Sequence, residues 1–297
     1  MELPLRALDD EEGAAVAADL PPVVDAHVHL FPDRVFHALW RWFDVNAWPI
    51  RYRLHTEGVL AFLRARGVKR VVALHYAHKP GMAAGLNAYV AAVAREHPWV
   101  TGTATVFPGE HGAVKILEDA HALGLRGVKL HCHVQGFGPD LPAMEEIYAA
   151  CERLDLPLVM HAGRQPYSPA YPVDPRETCA AWKVDRVLRD HPRLRLVVPH
   201  LGADEFNGYA ELLEKHDNLW LDTTMVLADY FAIENPRRLV EARPDRVLYG
   251  TDFPNLPYAW DRELRRTAAL ALRPDDVEAV LGGNAARLFG NHGVAQD

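Results

Sequence analysis

Short apolar runs alternate with longer amphipathic segments along most of the chain. Each run is short enough for a β-strand and is apolar on both faces, which is typical of a strand buried in a parallel sheet. The eight runs lie at 23–30, 70–75, 100–107, 126–131, 157–161, 194–200, 219–223 and 246–252. The hydrophobic pattern therefore predicts eight buried strands.

Helical patterns follow seven of these runs directly, and after the first run the helix begins only at residue 56. The predicted helices lie near 56–66, 82–96, 113–123, 142–154, 176–190, 204–216, 230–242, 260–271 and 274–281. Eight strand–helix units in succession favour a single-domain (β/α)₈ (TIM) barrel, which typically takes about 250 residues. An open, doubly wound sheet is the alternative, but no glycine-rich phosphate fingerprint follows the first run. We predict a barrel domain at 21–291, an N-terminal extension at 1–20 and a C-terminal tail at 292–297.

An aromatic-rich insertion separates the first strand from the first predicted helix. It spans 31–52 and contains Trp40, Trp42, Phe43 and Trp48. Three interpretations of this segment are open: a lid or wall of a pocket, an ordinary packed loop, or an oligomer contact. A homodimer is therefore one expectation for this chain.

Composition excludes several classes of protein. The net charge of −8 over 297 residues indicates no broad basic surface, so we expect neither nucleic acid nor membrane as a partner. No apolar run is long enough to span a bilayer, and the first twenty residues do not resemble a secretory signal. Cys132, Cys151 and Cys179 are scattered and odd in number, which favours reduced thiols and a cytoplasmic location.

Polar residues occur where the predicted strands end. His27 and His29 lie two residues apart on the first strand and so project from the same face. In a barrel of this kind the active site lies at the carboxyl ends of the strands. Five further residues occupy such positions: Lys129, His131, His161, His200 and Asp252. Each alone has an ordinary structural explanation, but together they predict a site for zinc or a similar divalent ion.

Six segments resemble the amidohydrolase superfamily. They are Asp25-Ala-His27-Val-His29, Gly127-Val-Lys129-Leu-His131, Val159-Met-His161-Ala-Gly163, Val198-Pro-His200-Leu-Gly202, Tyr249-Gly-Thr-Asp252-Phe-Pro254 and Gly283-Asn284-Ala-Ala-Arg287-Leu-Phe-Gly290. The last one resembles the amidohydrolase-related (amidohydrolase 2) branch, which includes TIM-barrel hydrolases and metal-dependent decarboxylases of aromatic and enoic acids. The resemblance covers residues 23–290.

The resemblance implies a role for each matching residue. His27, His29 and His161 correspond to metal ligands. Asp252 corresponds to a carboxylate that touches the metal and takes the proton from an attacking water molecule. His200 corresponds to a histidine that either binds a second metal or acts as acid, base or electrostatic partner. Asp252 and His200 are thus the predicted catalytic pair.

The number of ions depends on Lys129. In binuclear relatives a lysine at this position is carboxylated and bridges two metals, whereas an unmodified Lys129 binds substrate or has a structural role. We expect one or two divalent ions, with Zn²⁺ favoured and Mn²⁺ as the alternative. Around the ions, Tyr76, His78, His131 and Arg164 are predicted to bind a small, carboxylate-bearing substrate.

Three functions fit these features. The first is a metal-dependent hydrolase of a lactone, amide or ester, because a bound divalent ion lowers the pKa of water from about 15.7 to near 7. The second is a metal-dependent decarboxylase of an aromatic or enoic acid. The third is a metal-binding barrel without catalysis, which the presence of Asp252 and His200 disfavours.

Overall fold

Eight parallel strands run through the computed structural model, which describes residues 9–230 and 236–290. The predicted tail at 292–297, residues 1–8 of the extension and part of the helix predicted at 230–242 lie outside the described residues. The strands are β1 (Val24–His29), β2 (Arg70–Leu74), β3 (Val100–Gly102), β4 (Val128–His131), β5 (Leu158–His161), β6 (Leu196–Val198), β7 (Leu219–Asp222) and β8 (Val247–Leu248).

The strands follow one another around a barrel in sequence order. β1 to β3 pair in one sheet and β4 to β8 in another. Parallel bridges between Ala104 and Val128, and between Val28 and Phe253, connect the two sheets at both junctions. At the second junction, the backbone N–H of His29 donates to the carbonyl of Phe253 over 2.8 Å. The predicted (β/α)₈ barrel is therefore confirmed, although most strands are shorter than predicted.

Helices surround the strands, and three of them, the first, the fifth and the last, lie outside the segments predicted as helical. The helices are α1 (Asp33–Asn46), α2 (Thr56–Ala65), α3 (Ala83–Glu96), α4 (Ala113–Ala122), α5 (Cys132–Gln135), α6 (Glu145–Leu154), α7 (Pro175–Thr178), α8 (Ala181–Asp190), α9 (Phe206–Lys215), α10 (Arg237–Ala242), α11 (Arg262–Ala268), α12 (Pro274–Glu278) and α13 (Asn284–Phe289). The aromatic-rich insertion folds as α1, which buries Val35, Phe36, Leu39 and Trp40. This spacing gives one apolar face of a helix.

The described part of the N-terminal extension packs on the barrel. Glu12 forms ion pairs with Arg51 and Arg66 at 3.3 and 3.1 Å. The indole N–H of Trp260 donates to the carbonyl of Gly13 over 2.9 Å. These contacts attach the segment to α2 and to the loop after β8.

The last helix packs at the amino-terminal ends of the strands. Phe289 of α13 lies so close to Gly127, just before β4, that a Cβ there would come within 3.0 Å of its ring. Phe289 and Leu288 also belong to an apolar cluster with Val24, near the start of β1. The carboxyl ends of the strands remain available for a site. Among the described residues, no helix combines the length and the apolar character needed to cross a membrane.

Candidate metal centre and cavity

Two histidines and one aspartate meet where β1 and β8 end. One donor atom each from His27, His29 and Asp252 lies within 4.8 Å of the other two. All three side chains are buried. The alternation of side chains along β1 directs both imidazoles inward, and the chain after β8 brings the carboxylate to them. We call these three residues the first donor group.

The other ring nitrogen of each histidine in this group has an acceptor of its own. His27 Nδ1 donates to Asp222 over 2.8 Å, and His29 Nδ1 to the carbonyl of Leu74 over 3.3 Å. The Nε2 atoms face Asp252 Oδ1 at 3.4 and 2.8 Å, and His29 Nε2 is within hydrogen-bond distance of this carboxylate. A histidine whose Nδ1 donates to an outer acceptor can present the lone pair of Nε2 to an ion at this position. Imidazoles fixed by an outer acceptor are typical of metal ligands, so the first donor group fits a divalent ion.

His161 and His200 show the same arrangement. His161 Nε2 lies 3.2 Å from the carbonyl of Gln165, and His200 Nδ1 lies 2.9 Å from that of Thr224. If both nitrogens donate, the remaining lone pairs face each other, with His161 Nδ1 and His200 Nε2 only 3.2 Å apart. A shared cation removes this repulsion.

A second group of three imidazoles adjoins the first. One ring nitrogen from each of His131, His133 and His161 lies within 4.8 Å of the others, and all three residues are buried. The rings of His131 and His161 stack at 4.1 Å with an interplanar angle of 9°. The structure thus places His161, predicted as a ligand beside His27 and His29, in this second donor group.

Asp222 is a site residue that the sequence analysis did not single out. It ends β7, and its two oxygens accept from His27 Nδ1 at 2.8 Å and from the backbone N–H of His200 at 2.9 Å. The signal was available, because the seventh apolar run, 219–223, has an acidic residue one position before its end. Asp222 therefore orients two predicted site residues at once.

The two predicted catalytic residues share an uncommon backbone conformation. His200 has φ of 59° and Asp252 has φ of 75°. Residues other than glycine seldom adopt this left-handed region, and such positions are concentrated at functional sites. The Asp252 backbone is held by a hydrogen bond from its N–H to the carbonyl of His27, at 2.9 Å.

Burial controls the charges of the site. It lowers the pKa of His27 to about 4, so this imidazole is neutral at pH 7. Burial alone raises the pKa of Asp222, but the hydrogen bond from His27 and the electrostatic effect of the neighbouring imidazoles of His27 and His200 outweigh it and hold that pKa below its usual range. For Asp252, burial also raises the pKa, and the charge and hydrogen bond of His29 more than offset this effect. Both carboxylates are therefore ionised at neutral pH.

Lys129 is fully buried as the second residue of β4. Burial lowers its pKa to about 8, against the opposing effect of Asp222 and Asp252. Among the described residues its Nζ has no hydrogen-bond partner. It lines the same cavity as Asp252, His161 and His200. Lys129 thus presents an unpartnered amine beside both donor groups.

A cavity of about 700 Å³ opens above the donor groups. Three of the predicted substrate-binding residues, Tyr76, His78 and His131, line it. Its wall includes Trp42 and Phe43 of α1, so the insertion forms part of the pocket wall. Further lining comes from Trp48, Met82, Pro166, Tyr171, Pro172, Met225 and Val226. The cavity therefore joins a polar base to an apolar, aromatic wall.

Arg164, the fourth predicted substrate-binding residue, lies elsewhere. Among the described residues, those that line the cavity do not include it. Its guanidinium instead lies 3.6 Å from Asp204 and 3.5 Å from Glu205. These two carboxylates satisfy its charge outside the cavity. The cations that do line the cavity, besides Lys129, are Arg34 and Lys79.

Comparisons with solved structures agree with this architecture. A TIM-barrel protein from Bordetella bronchiseptica, Bb4693, is 23% identical over 90% of this chain and 98% of its own, with a TM-score of 0.69. The 5-carboxyvanillate decarboxylase LigW from Sphingomonas paucimobilis is 20% identical over 90% and 98%, with a TM-score of 0.64. LigW2 from Novosphingobium aromaticivorans, a 5-carboxyvanillate decarboxylase solved with manganese and 4-hydroxy-3-methoxy-5-nitrobenzoic acid, is 17% identical over 95% and 99%, with a TM-score of 0.66.

Sequence comparison identifies the family. No curated protein matches the chain. A family model described as amidohydrolase matches residues 24–291, which includes all eight strands and both donor groups. The chain belongs to the amidohydrolase family.

Proposed function

We propose that the protein is a metal-dependent decarboxylase of an aromatic or enoic carboxylic acid. The observation that carries this proposal is the position of the first donor group at the base of a cavity with an aromatic wall. Solved structures of similar fold include decarboxylases of 5-carboxyvanillate and of 2,6-dihydroxybenzoate, which are both aromatic acids. Their names support an aromatic acid as the substrate class for this chain.

His27, His29 and Asp252 are the residues that would hold the ion. When bound, a divalent ion would supply positive charge that attracts the oxygen atoms of an acid and stabilises negative charge developing there. Zn²⁺ is the ion we favour, and Mn²⁺ is the alternative because imidazole and carboxylate ligands suit both. The manganese in the solved structure of LigW2 supports the alternative.

The reaction needs a proton at the carbon that loses its carboxyl group. The bond between that carbon and the carboxylate breaks, its electron pair stays on the carbon, and carbon dioxide leaves as a proton arrives. Asp252 and His200 both line the cavity, and we assign to them the transfer of this proton from water to the carbon: the ionised Asp252 carboxylate first accepts it from water and then gives it up to the carbon. Two hydrogen bonds orient His200: its backbone N–H donates to the Asp222 carboxylate, and its Nδ1 pairs with the carbonyl of Thr224.

The wall of the cavity positions a flat substrate. Trp42 stacks on Tyr171 with ring centroids 5.3 Å apart, and Phe43 contacts Trp48 edge-on at 5.2 Å. Such a wall favours an aromatic ring by burial and ring contacts, and it excludes water from the reacting carbon. Polar groups at the base fix the orientation.

Unpaired cations favour an anionic substrate. Arg34 and Lys79 line the cavity, and in the described part of the chain neither has an ion-pair partner. The only carboxylate that lines the cavity among the described residues is Asp252. An acid that enters therefore meets a positive field.

Hydrolysis of a lactone, amide or ester is the second candidate. The buried amine of Lys129, without a hydrogen-bond partner among the described residues, favours it, because a carboxylated lysine would link the two donor groups. In this case Asp252 accepts the proton of the attacking water. The ionised state of its carboxylate suits that role.

The test is a screen of benzoate and enoate acids beside lactones, amides and esters, with added Zn²⁺ or Mn²⁺. We expect carbon dioxide release from at least one hydroxylated benzoate or enoate, detected as ¹³CO₂ from a carboxyl-labelled acid. Turnover of lactones, amides or esters alone would overturn decarboxylation in favour of hydrolysis. No turnover of either set by protein loaded with metal would support the non-catalytic barrel.

The cellular setting is a further proposal. Cys132, Cys151 and Cys179 are all free and buried, which supports a reducing compartment such as the cytoplasm. A homodimer contact through the insertion stays a prediction, since a single exposed apolar side chain such as that of Val45, 81% exposed, is ordinary on a protein surface. Size-exclusion chromatography with light scattering tests the dimer.

A further inference from the structure

We infer that Glu263 is a positioning residue for His200: as a hydrogen-bond acceptor and not as a charge, it holds the turn at 223–228 against which the His200 imidazole rests. Glu263 lies on α11, and in the described part of the chain it is not among the residues that line the cavity. The inference concerns the orientation of His200 and does not depend on which candidate reaction the protein catalyses.

The turn at 223–228 follows β7 and contacts both His200 and the cavity. The carbonyl of Thr224 lies 2.9 Å from His200 Nδ1, and Met225 and Val226 line the cavity. Because a carbonyl oxygen can only accept, this contact requires the proton of the His200 imidazole on Nδ1. The position of the Thr224 carbonyl therefore determines which ring nitrogen of His200 carries the proton.

The backbone of this turn needs support from outside itself. Met225 has φ of 64°, a left-handed conformation that is costly for a residue with a Cβ and persists only where the surrounding structure holds it. The N–H of Val226 donates to the carbonyl of Thr223 over 3.0 Å and so closes the start of the turn. The next N–H along the chain, that of Leu227, donates to a side chain of α11 instead.

Two consecutive residues of α11 hold the far end of the turn. Glu263 Oε1 accepts from the N–H of Leu227 over 3.3 Å, and Arg262 Nε donates to the carbonyl of Ala228 over 2.7 Å. The Thr223 hydroxyl and the Ala228 N–H also lie close enough to lower the pKa of Glu263. Glu263 therefore contacts the turn at both of its ends.

The surroundings of Glu263 favour a neutral acid. The side chain is 1% exposed, and burial raises its pKa well above the usual range. The neighbouring cations of α11 have other partners, because Arg262 pairs with Asp10 at 3.5 Å and Arg265 with Asp261 at 3.0 Å. A neutral carboxyl group holds the turn through hydrogen bonds alone.

The two carboxyl oxygens of Glu263 are not equivalent. Oε1 receives the hydrogen bond from Leu227, whereas Oε2 has no hydrogen-bond partner among the described residues. Glutamine keeps the accepting oxygen and places its NH₂ group where no contact is lost. Aspartate is one methylene shorter, so its oxygens fall short of the turn. The conservative replacement for this role is therefore glutamine.

NMR of protein labelled with ¹⁵N-histidine and loaded with Zn²⁺, which is diamagnetic, reads the Nδ1–H of His200 without any substrate. The spectrum of His200→Asn identifies the signal. In Glu263→Ala this proton should exchange with water about tenfold faster, as expected when one buried hydrogen bond that holds the turn is lost. Glu263→Asp should behave like Glu263→Ala. Glu263→Gln should stay within about twofold of the unmodified rate, since the accepting oxygen remains.

Thr267→Val is the matched control. Thr267 is equally buried on the same helix, and its hydroxyl donates to the backbone carbonyl of Glu263 over 2.9 Å, within α11 and not to the turn. This variant should leave the exchange of the His200 proton unchanged even if it lowers the urea midpoint. Circular dichroism of each variant checks that the barrel has folded.

Three results would overturn the inference. The first is an unchanged exchange rate in Glu263→Asp and Glu263→Ala, a comparison that rests on Glu263→Asp and Glu263→Gln where Glu263→Ala does not fold. The second is a normal rate in Glu263→Asp with a fast rate in Glu263→Gln, which would assign the effect to charge. The third is equal acceleration in Thr267→Val, which would assign it to helix stability. Since no substrate is used, failure of the decarboxylation screen leaves each of these results intact.

Discussion

The carboxylate of Asp222 connects His27 to His200. One oxygen accepts from His27 Nδ1 at 2.8 Å, and the other accepts from the backbone N–H of His200 at 2.9 Å. Asp222→Asn should weaken metal binding at the first donor group about 10–100-fold, the usual effect of losing such an outer partner. An amide has only one oxygen, so one of the two contacts must face an NH₂ group. Competition with a chromogenic chelator measures the change.

Asp217→Asn is the control for this substitution. The side chain of Asp217 is 91% exposed and contacts Arg243 and Arg246 at distances of 3.8 and 3.7 Å. Its loss should leave metal affinity within about twofold, as expected for an exposed ion pair. Equal affinities for Asp222→Asn and the unmodified protein would show that Asp222 does not orient His27.

Asp252→Asn should keep the fold and abolish most turnover. Asparagine tolerates the left-handed φ of 75° at this position, so the backbone is not disturbed. The amide cannot hold the transferred proton, and loss of a general acid–base group typically costs 10²–10⁴-fold in rate. Turnover of the identified substrate and the circular dichroism spectrum are the measurements. Near-normal turnover in protein with full metal content would assign the proton to another group, with His200→Asn as the next variant to measure.

The strand ends were predictable because the relevant signals are local. An apolar run that stops at a histidine gives both the strand and the residue at its end, as at His161, whereas Asp252 lies four residues beyond the end of β8 at Leu248. The helix α1 carried a usable signal as well, since Val35, Phe36 and Leu39 have helical spacing. The tryptophans of the same segment suit a pocket wall, a packed loop or an oligomer contact equally well, so composition did not select a helix.

Side-chain contacts that loops bring together were not predictable from the local hydrophobic pattern of the sequence. Arg164 follows β5 as a substrate-binding cation would, but the path of the chain after β6 brings Asp204 and Glu205 to it. The link between Asp222 and His27 joins residues 195 positions apart. The division of the histidines into two groups depends on α5, a single helical turn whose direction sequence periodicity does not determine.

Arg34→Gln should raise the KM for an anionic substrate about fivefold, equivalent to roughly 1 kcal/mol, and change kcat little. Arg34 lines the cavity and has no ion-pair partner in the described part of the chain, so its removal weakens attraction for the acid without exposing another charge. Arg41→Gln on the same helix is the control, since Arg41 is exposed and lies outside the cavity lining. The difference in KM between the two variants should become smaller at 1 M salt, because salt screens the attraction between exposed charges. Equal KM values for both would exclude Arg34 from substrate binding.

His75 should make the stability of the protein sensitive to mild acid. This residue is fully buried next to Asn87, with Nε2 and Oδ1 3.0 Å apart, and burial lowers its pKa to about 4. An unfolded chain takes up this proton near pH 6.5, so stability is fully present above that pH and is lost as the pH falls towards 4. Between pH 6.5 and 5 this histidine alone should cost about 2 kcal/mol of unfolding free energy.

His75→Gln removes this titration and retains an amide that can contact Asn87. Urea denaturation at pH 7 and pH 5 should therefore show that this variant loses less unfolding free energy on acidification than the unmodified protein does, by about 2 kcal/mol. The comparison between variants is needed because burial also lowers the pKa of His78 to about 4, and His78 adds to the total loss. His111→Gln, at an exposed histidine, should retain the full loss of the unmodified protein. Parallel losses in His75→Gln and the unmodified protein would mean that His75 is solvated or protonated in the folded state.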